Sequence, residues 1–126
     1  MNASSKKKLS QYERLADMLR DRIAAGTYAR GDKLPSEMEL MDESGLSRST
    51  VRHALKVLVD EGLVRTERTA GRYVTEDRAL IEQLRAEAAR NLTAEFLEKM
   101  RGIGYGLEQA AALLERWNEK EGTNHD

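Results

Sequence analysis

Arg48, Ser49 and Arg52 stand at i, i+1 and i+4, with Thr50 beside them, and side chains of these types suit one kind of chemistry. An arginine can donate twice to O6 and N7 of guanine or to a phosphate, and serine and threonine hydroxyls can reach either. At helical spacing Arg48 and Arg52 share a face. Val51, Ala54, Leu55 and Leu58 fall on the other face, as a helix needs if one side is to sit in a core. Ser47 precedes the run and can cap the helix, accepting a backbone N–H that would otherwise lack a partner. Ser47, Arg48, Ser49, Thr50 and Arg52 are therefore candidate contacts to duplex DNA. A solvated helix face beside a core is the plainer reading, and the elements upstream weigh against it.

Those elements form a helix–turn–helix. Ser36 is an N-cap candidate, and Glu39 three residues on completes a capping box for a short helix. Gly45 sits where the chain leaving that helix needs a positive φ. The recognition helix then runs from about Arg48 to Asp60, with Gly62 as its stop. An exposed basic and hydroxyl-bearing first turn placed after such a turn is the arrangement that enters a major groove.

Upstream, Ser10 and Glu13 form a second capping box, and Tyr12, Leu15, Ala16, Leu19 and Ile23 make one apolar stripe up to Gly26. Gly31-Asp32 marks a turn, and Pro35 biases Leu34 away from helical angles. Downstream, Leu63–Thr66 and Arg72–Thr75 are β-prone, with a polar turn between them. A small hairpin directly after a recognition helix is a wing. Arg68 and Arg72 would supply charge at its tip and Gly71 would permit close approach to DNA, while Tyr73 and Val74 pack.

Residues 77–101 read as a long amphipathic helix with Leu80, Ile81, Leu84, Ala88, Leu92, Phe96, Leu97 and Met100 on its apolar face. Gly102-Ile103-Gly104-Tyr105-Gly106 breaks it. The third glycine comes too early for a dinucleotide-binding loop and no strand precedes it, so the segment reads as the turn of a helical hairpin. A last helix follows from Leu107 to about Lys120, with Ala110 on its apolar side. Two such helices cannot bury both stripes by themselves, and they suit packing against a second copy. The candidate dimer-interface residues are Leu80, Leu84, Ala88, Leu92, Phe96 and Leu97 on the first helix, with Leu107, Ala111, Leu114 and Trp117 on the second. The expected fold is mainly α with a small β-hairpin wing. A disordered basic tail over 1–9, with Lys6-Lys7-Lys8, leads into a winged helix-turn-helix domain over 10–76. A two-helix dimerisation hairpin over 77–121 and a tail over 122–126 complete the chain.

Composition narrows the function classes. The chain has 126 residues and a formal charge of −1. Residues 1–75 hold 14 Lys/Arg and 11 Asp/Glu, or +3, while residues 76–126 hold 7 and 11, or −4. A nucleic-acid surface would thus be N-terminal. There is no cysteine, which excludes disulfides and thiolate metal sites. The two histidines, His53 and His125, cannot plausibly meet in a catalytic or metal site, and His53 is expected to pack or to reach phosphate. No enzyme, cofactor or metal centre is expected. No apolar run approaches the length of a membrane span, so the expectation is a soluble cytoplasmic protein.

This order of elements resembles the GntR family of bacterial winged-helix transcriptional regulators, over about residues 10–75. The resemblance rests on Tyr12–Ile23, Gly31-Asp32-Lys33-Leu34-Pro35-Ser36-Glu37, Leu46–Leu55 and Glu61-Gly62-Leu63-Val64. The short two-helix tail looks like that of the YtrA subfamily. The resemblance implies binding of an inverted-repeat operator as a homodimer, repressing a neighbouring operon that is often one for a transporter. It also implies that Arg48, Ser49, Thr50 and Arg52 contact bases and phosphates. Ser36 and Glu37 would start the helix that crosses the backbone, and Gly71 would be the wing glycine. Two departures stand out. Met38 occupies a position where the family usually carries a DNA-contacting arginine. The wing reads Thr69-Ala70-Gly71-Arg72-Tyr73-Val74 rather than Gly-x-Gly-Thr-Phe-Val.

Two other readings compete. One is a protein-interaction adaptor or antitoxin-like module working through the C-terminal hairpin. The other is a small-molecule sensor with a pocket lined by Phe96, Tyr105 and Trp117, although aromatic residues at helical spacing are more often core.

Overall fold

The apolar stripes and caps read from the sequence become five helices and one hairpin among the residues that the computed structural model describes, 8–68 and 70–124. The elements are α1 Gln11–Ala25, α2 Glu37–Ser44, α3 Arg48–Asp60, β1 Val64–Glu67, β2 Gly71–Val74, α4 Arg78–Gly102 and α5 Leu107–Asn124. Residues 1–7 of the arm expected over 1–9, Lys6 and Lys7 among them, Thr69 in the wing, and His125 lie outside the described residues. The chain forms two compact units, one up to Ala86 and one from Glu87 onward. That division falls inside α4.

In the first unit both capping boxes form. The Ser10 side chain accepts from the Glu13 N–H while Glu13 accepts from the Ser10 N–H, and Ser36 and Glu39 repeat the arrangement at α2. Three residues, Gly45-Leu46-Ser47, separate α2 from α3. Gly45 takes φ +74°, and its N–H donates to the Met41 carbonyl at 2.8 Å, closing α2 in the left-handed conformation that glycine adopts without steric cost. Ser44 Oγ donates to the Leu40 carbonyl at 2.7 Å and accepts from the Leu46 N–H at 3.1 Å, so the turn's polar groups are satisfied locally.

The core holds Leu15, Ala16, Leu19 and Ile23 of α1, Leu40 of α2, and Val51, Ala54, Leu55 and Leu58 of α3. Leu34, Leu63, Val64 and Val74 close it from the hairpin side. No charged or polar residue is buried among the described residues. β1 and β2 pair antiparallel, with Val64 opposite Val74 and Glu67 opposite Gly71. A third stretch joins the hairpin, since the Leu34 N–H donates to the Arg72 carbonyl and the Val74 N–H to the Asp32 carbonyl, each at 2.8 Å. The turn expected at Gly31-Asp32 thus leads directly into a sheet edge. Both strands lie within one residue of their expected positions.

The first turns of α4 belong to this unit. Ile81 is buried in the core, and Leu80 and Leu84 are half-buried against it. Arg85 Nε donates to the Ala24 carbonyl at 3.0 Å, satisfying an acceptor left open at the end of α1. Leu80 and Leu84, expected at the dimer interface, thus lie partly buried against the molecule's own core. An apolar stripe shows which face is covered but not by what.

In the second unit α4 ends in a turn at 103–106, where the Gly104 N–H donates to the Arg101 carbonyl and the Tyr105 N–H to the Met100 carbonyl. Gln109 accepts from the Gly106 N–H at 2.8 Å, a side-chain cap for α5. α5 continues through Gly122 to Asn124, four residues past Lys120, so the expected tail over 122–126 begins as helix. Ala110 is buried. Leu92, Phe96, Ile103, Leu107, Leu113, Leu114 and Trp117 are exposed. Ala111 is exposed as well, while Ala88, Leu97 and Met100 are half-buried. No helix among the described residues is long and apolar enough to cross a membrane.

Leu55 is fully buried at the middle of α3. Leu55→Ala is expected to lower the unfolding free energy by about 2–5 kcal/mol, through lost apolar burial and the cavity left behind. Chemical denaturation monitored by circular dichroism measures this, and a loss under about 1 kcal/mol would contradict the assigned core.

Candidate nucleic-acid interface

α3 presents its first turns outward because its other side is committed to the core: Val51, Ala54, Leu55 and Leu58 have no exposure at all. Ser47 caps it, its Oγ accepting from the Thr50 N–H at 3.3 Å and lying 3.0 Å from Thr50 Oγ1 and 3.4 Å from Ser49 Oγ. Ser47 and Thr50 therefore spend their hydroxyls largely on each other and on the cap, with Thr50 half-buried. Ser49 stands exposed next to them.

The charged part of the site converges on Glu37, the first residue of α2. Its Oε1 accepts from Arg48 Nη1 at 3.1 Å and from Arg52 Nε at 3.1 Å. Its Oε2 accepts from Arg52 Nε at 3.0 Å and from Arg72 Nη2 at 3.2 Å. Three guanidinium groups from two elements, α3 and the hairpin, thus share one carboxylate, and three positive charges against one negative leave the cluster at +2. The Glu37 side chain is only 16% exposed, against 61% for Arg52. Burial pushes the Glu37 carboxyl up, but Arg52 and then Arg72 outweigh it, and the net shift is below the ordinary glutamate range. The carboxylate is ionised at neutral pH.

In the hairpin, Gly71 takes φ +95°, and a side-chain carbon there would come within 3.1 Å of Lys33 Cε. Glycine thus lets the strand lie against Lys33, a cation that the sequence reading did not single out for the site. Arg68 is exposed just past the end of β1. Arg65 lies over the Tyr73 ring, 5.0 Å from its centroid, and pairs with Glu67 and Glu76. Met38 is 55% exposed, an apolar side chain directly after Glu37.

The N-terminal end of α1 also reaches this surface. Tyr12 is half-buried and stacks on His53, with ring centroids 3.6 Å apart and planes 13° apart. A shallow groove runs between the helices, lined by Ser10, Gln11, Tyr12, Ser49, Thr50 and His53. Tyr12 packs partly buried against the core, as expected of the apolar stripe, and its ring also covers the exposed imidazole on the recognition helix. Of the two expectations for His53, packing or phosphate, the structure shows the stack on Tyr12, with the imidazole still exposed. No cluster of His, Asp and Glu among the described residues could hold a metal ion.

The family model for bacterial regulatory proteins of the gntR family matches residues 11–74, the stretch from the start of α1 to the end of β2. A GntR family transcriptional regulator from Listeria monocytogenes is similar in structure, with a TM-score of 0.75 and 31% identity over 88% of this chain and 97% of that one. The DNA-binding domain of AraR, solved in complex with operator ORX1, is similar with a TM-score of 0.53 and 32% identity, over 54% of this chain and 82% of that one. Among curated proteins, the mannosyl-D-glycerate transport/metabolism system repressor MngR of Escherichia coli K12 is 43% identical over 67 residues, 53% of this chain. Only 28% of that repressor's length is spanned. With the family model covering half of the sequence and the Listeria regulator matched over nearly its whole length, the chain belongs to the gntR family of bacterial regulatory proteins.

Proposed function

We propose that this chain is a transcriptional regulator that binds an inverted-repeat operator as a symmetric homodimer and represses the genes beside it. The observation that carries the reading is the outward-facing start of α3, where Arg48, Ser49 and Arg52 stand together on a helix whose other face is wholly buried. In this reading α3 enters the major groove. Arg48, Ser49 and Arg52 contact bases and phosphates, with Ser47 and Thr50 as capping hydroxyls at the groove edge. Ser36 and Glu37 begin the helix that crosses the backbone. The hairpin lies along the adjoining phosphates or minor groove, with Arg68, Arg72 and Gly71 at its contact edge. AraR, whose similar domain was solved on operator DNA, supports this use of the fold.

The second unit supplies the dimer. Leu92, Phe96, Leu107, Leu114 and Trp117 are all exposed there, more large apolar side chains than soluble monomers usually leave in water. A second copy would cover them and set two recognition helices roughly 34–36 Å apart, one turn of DNA. Ala88, Leu97 and Ala111 are assigned to the same interface. The short two-helix tail supports an assignment to the YtrA subfamily, and the similarity to the transport/metabolism system repressor MngR favours repression, of a transport operon in particular. A cytoplasmic site of action follows from that role. The sensor reading rests on the exposed Phe96, Tyr105 and Trp117 and the adaptor reading on the C-terminal hairpin as a whole, whereas the dimer uses Phe96 and Trp117 without a ligand.

Binding to a duplex enriched from a random library is expected to weaken linearly in log K against log[salt], with a slope reflecting several phosphates. Arg48→Ala with Arg52→Ala should abolish the preference for the enriched sequence, and unchanged affinity in a gel-shift titration would remove α3 as the reading helix. Leu114→Glu with Trp117→Glu is expected to give a monomer by analytical ultracentrifugation while leaving the far-ultraviolet circular dichroism of the winged unit intact. Retention of the dimer would place the interface elsewhere.

A further inference from the structure

Glu37 is an odd residue to find at the centre of a surface meant for a polyanion. A carboxylate there lowers the local positive charge and faces the phosphates with a like charge. Its bonding pattern supplies a reason. It takes Arg52 by Nε alone, through both carboxylate oxygens at 3.1 and 3.0 Å. Neither terminal nitrogen of Arg52 is used in this contact, and the side chain is 61% exposed. That end-on pair is the fork that donates to O6 and N7 of one guanine. Arg48 and Arg72 are held differently, each by a terminal nitrogen, which occupies part of the same fork. Arg52 alone is gripped by the donor that guanine does not need.

We infer that Glu37 is a positioning and specificity-determining residue, which presents the Arg52 fork to a single guanine and keeps Arg48, Arg52 and Arg72 from spreading to arbitrary phosphates. The inference rests on the DNA-reading function proposed above. Its physical basis is the balance between two kinds of binding. Non-specific affinity comes from mobile cations meeting phosphates and grows with each one free to do so. Base discrimination needs a guanidinium already held in the plane of the base pair. Glu37 sits at the rigid start of α2 and is itself mostly covered, so the three arginines are fixed to the scaffold rather than to one another. It lowers the first kind of binding and raises the second.

The test uses the full chain and a duplex that the wild-type protein enriches from a random library, with a scrambled duplex as the reference. Glu37→Gln is close in size and removes the charge. The expected result is tighter binding to the scrambled duplex, a ratio of enriched to scrambled affinity lower by about tenfold, and a salt slope steeper by about one. The lost discrimination should map to one G·C pair, and Arg52→Lys should lose discrimination at that same pair while keeping its affinity for the scrambled duplex. Combined, the two substitutions should cost no more at that pair than either alone. A Glu37→Gln protein whose two affinities move by the same factor, or whose loss adds in full to that of Arg52→Lys, overturns the inference. If Glu37→Gln does not fold, Arg52→Lys decides it, and full discrimination in that variant overturns it. A wild-type chain that enriches no sequence overturns the regulator reading and this inference with it, whereas enrichment with an unchanged ratio in Glu37→Gln overturns the inference alone.

Discussion

The burial of one side of α3 is the constraint on which the rest of the structure depends. Val51, Ala54, Leu55 and Leu58 have no exposure, and they meet Leu15, Ala16, Leu19 and Ile23 of α1 in the same core. A helix held so completely along one side cannot rotate without placing leucine in water, at about 1.5–3 kcal/mol for each large side chain. Its opposite side is therefore fixed in direction as well as in sequence. Arg20 of α1 reinforces the seating, donating from Nε and Nη2 to the two oxygens of Glu61 at 2.8 Å each, at the end of α3. The three-residue turn after α2 and the Ser47 cap set where the helix begins, and so which residues occupy its exposed tip.

Ion pairs such as Lys56 with Asp60 and Arg85 with Glu82 are exposed and of the kind that contributes little. Glu37 differs because its carboxylate is mostly covered and serves partners on two separate elements. It links the recognition helix to the hairpin through charge, while the backbone bonds from residues 32–34 to β2 link the hairpin to the entry of α2. The wing therefore does not hang free of the helix-turn-helix. Both are tied to the short run that carries Leu34, Pro35, Ser36 and Glu37, and this run also carries the motif by which the sequence resembles its family.

Much of this was legible in the residues. Capping boxes announce helix starts because Ser and Glu three apart have few other local uses, and both occur where expected. The apolar stripe of α3 was legible because it is complete. The fate of the α4 stripe was not, since Leu80, Ile81 and Leu84 share a period with Leu92 and Phe96 yet pack in the first unit. Periodicity has no term for which partner an apolar face finds. The identities of the arginines at the site could be read off, but their convergence could not, because Glu37 meets them across 11, 15 and 35 residues of chain. The Tyr12–His53 stack was hidden for the same reason, with each ring looking like an ordinary member of its own helix.

The central claim is that the exposed tip of α3 lies in the major groove, twice, in a dimer joined through the second unit. Dimethyl sulfate probing of an enriched duplex tests it most directly, because the reagent modifies guanine N7 in the major groove and adenine N3 in the minor groove. The account predicts protection of guanine N7 in two clusters about one helical turn apart, related by the symmetry of the site. Guanine N7 atoms that stay fully reactive while adenine N3 alone is protected would contradict it.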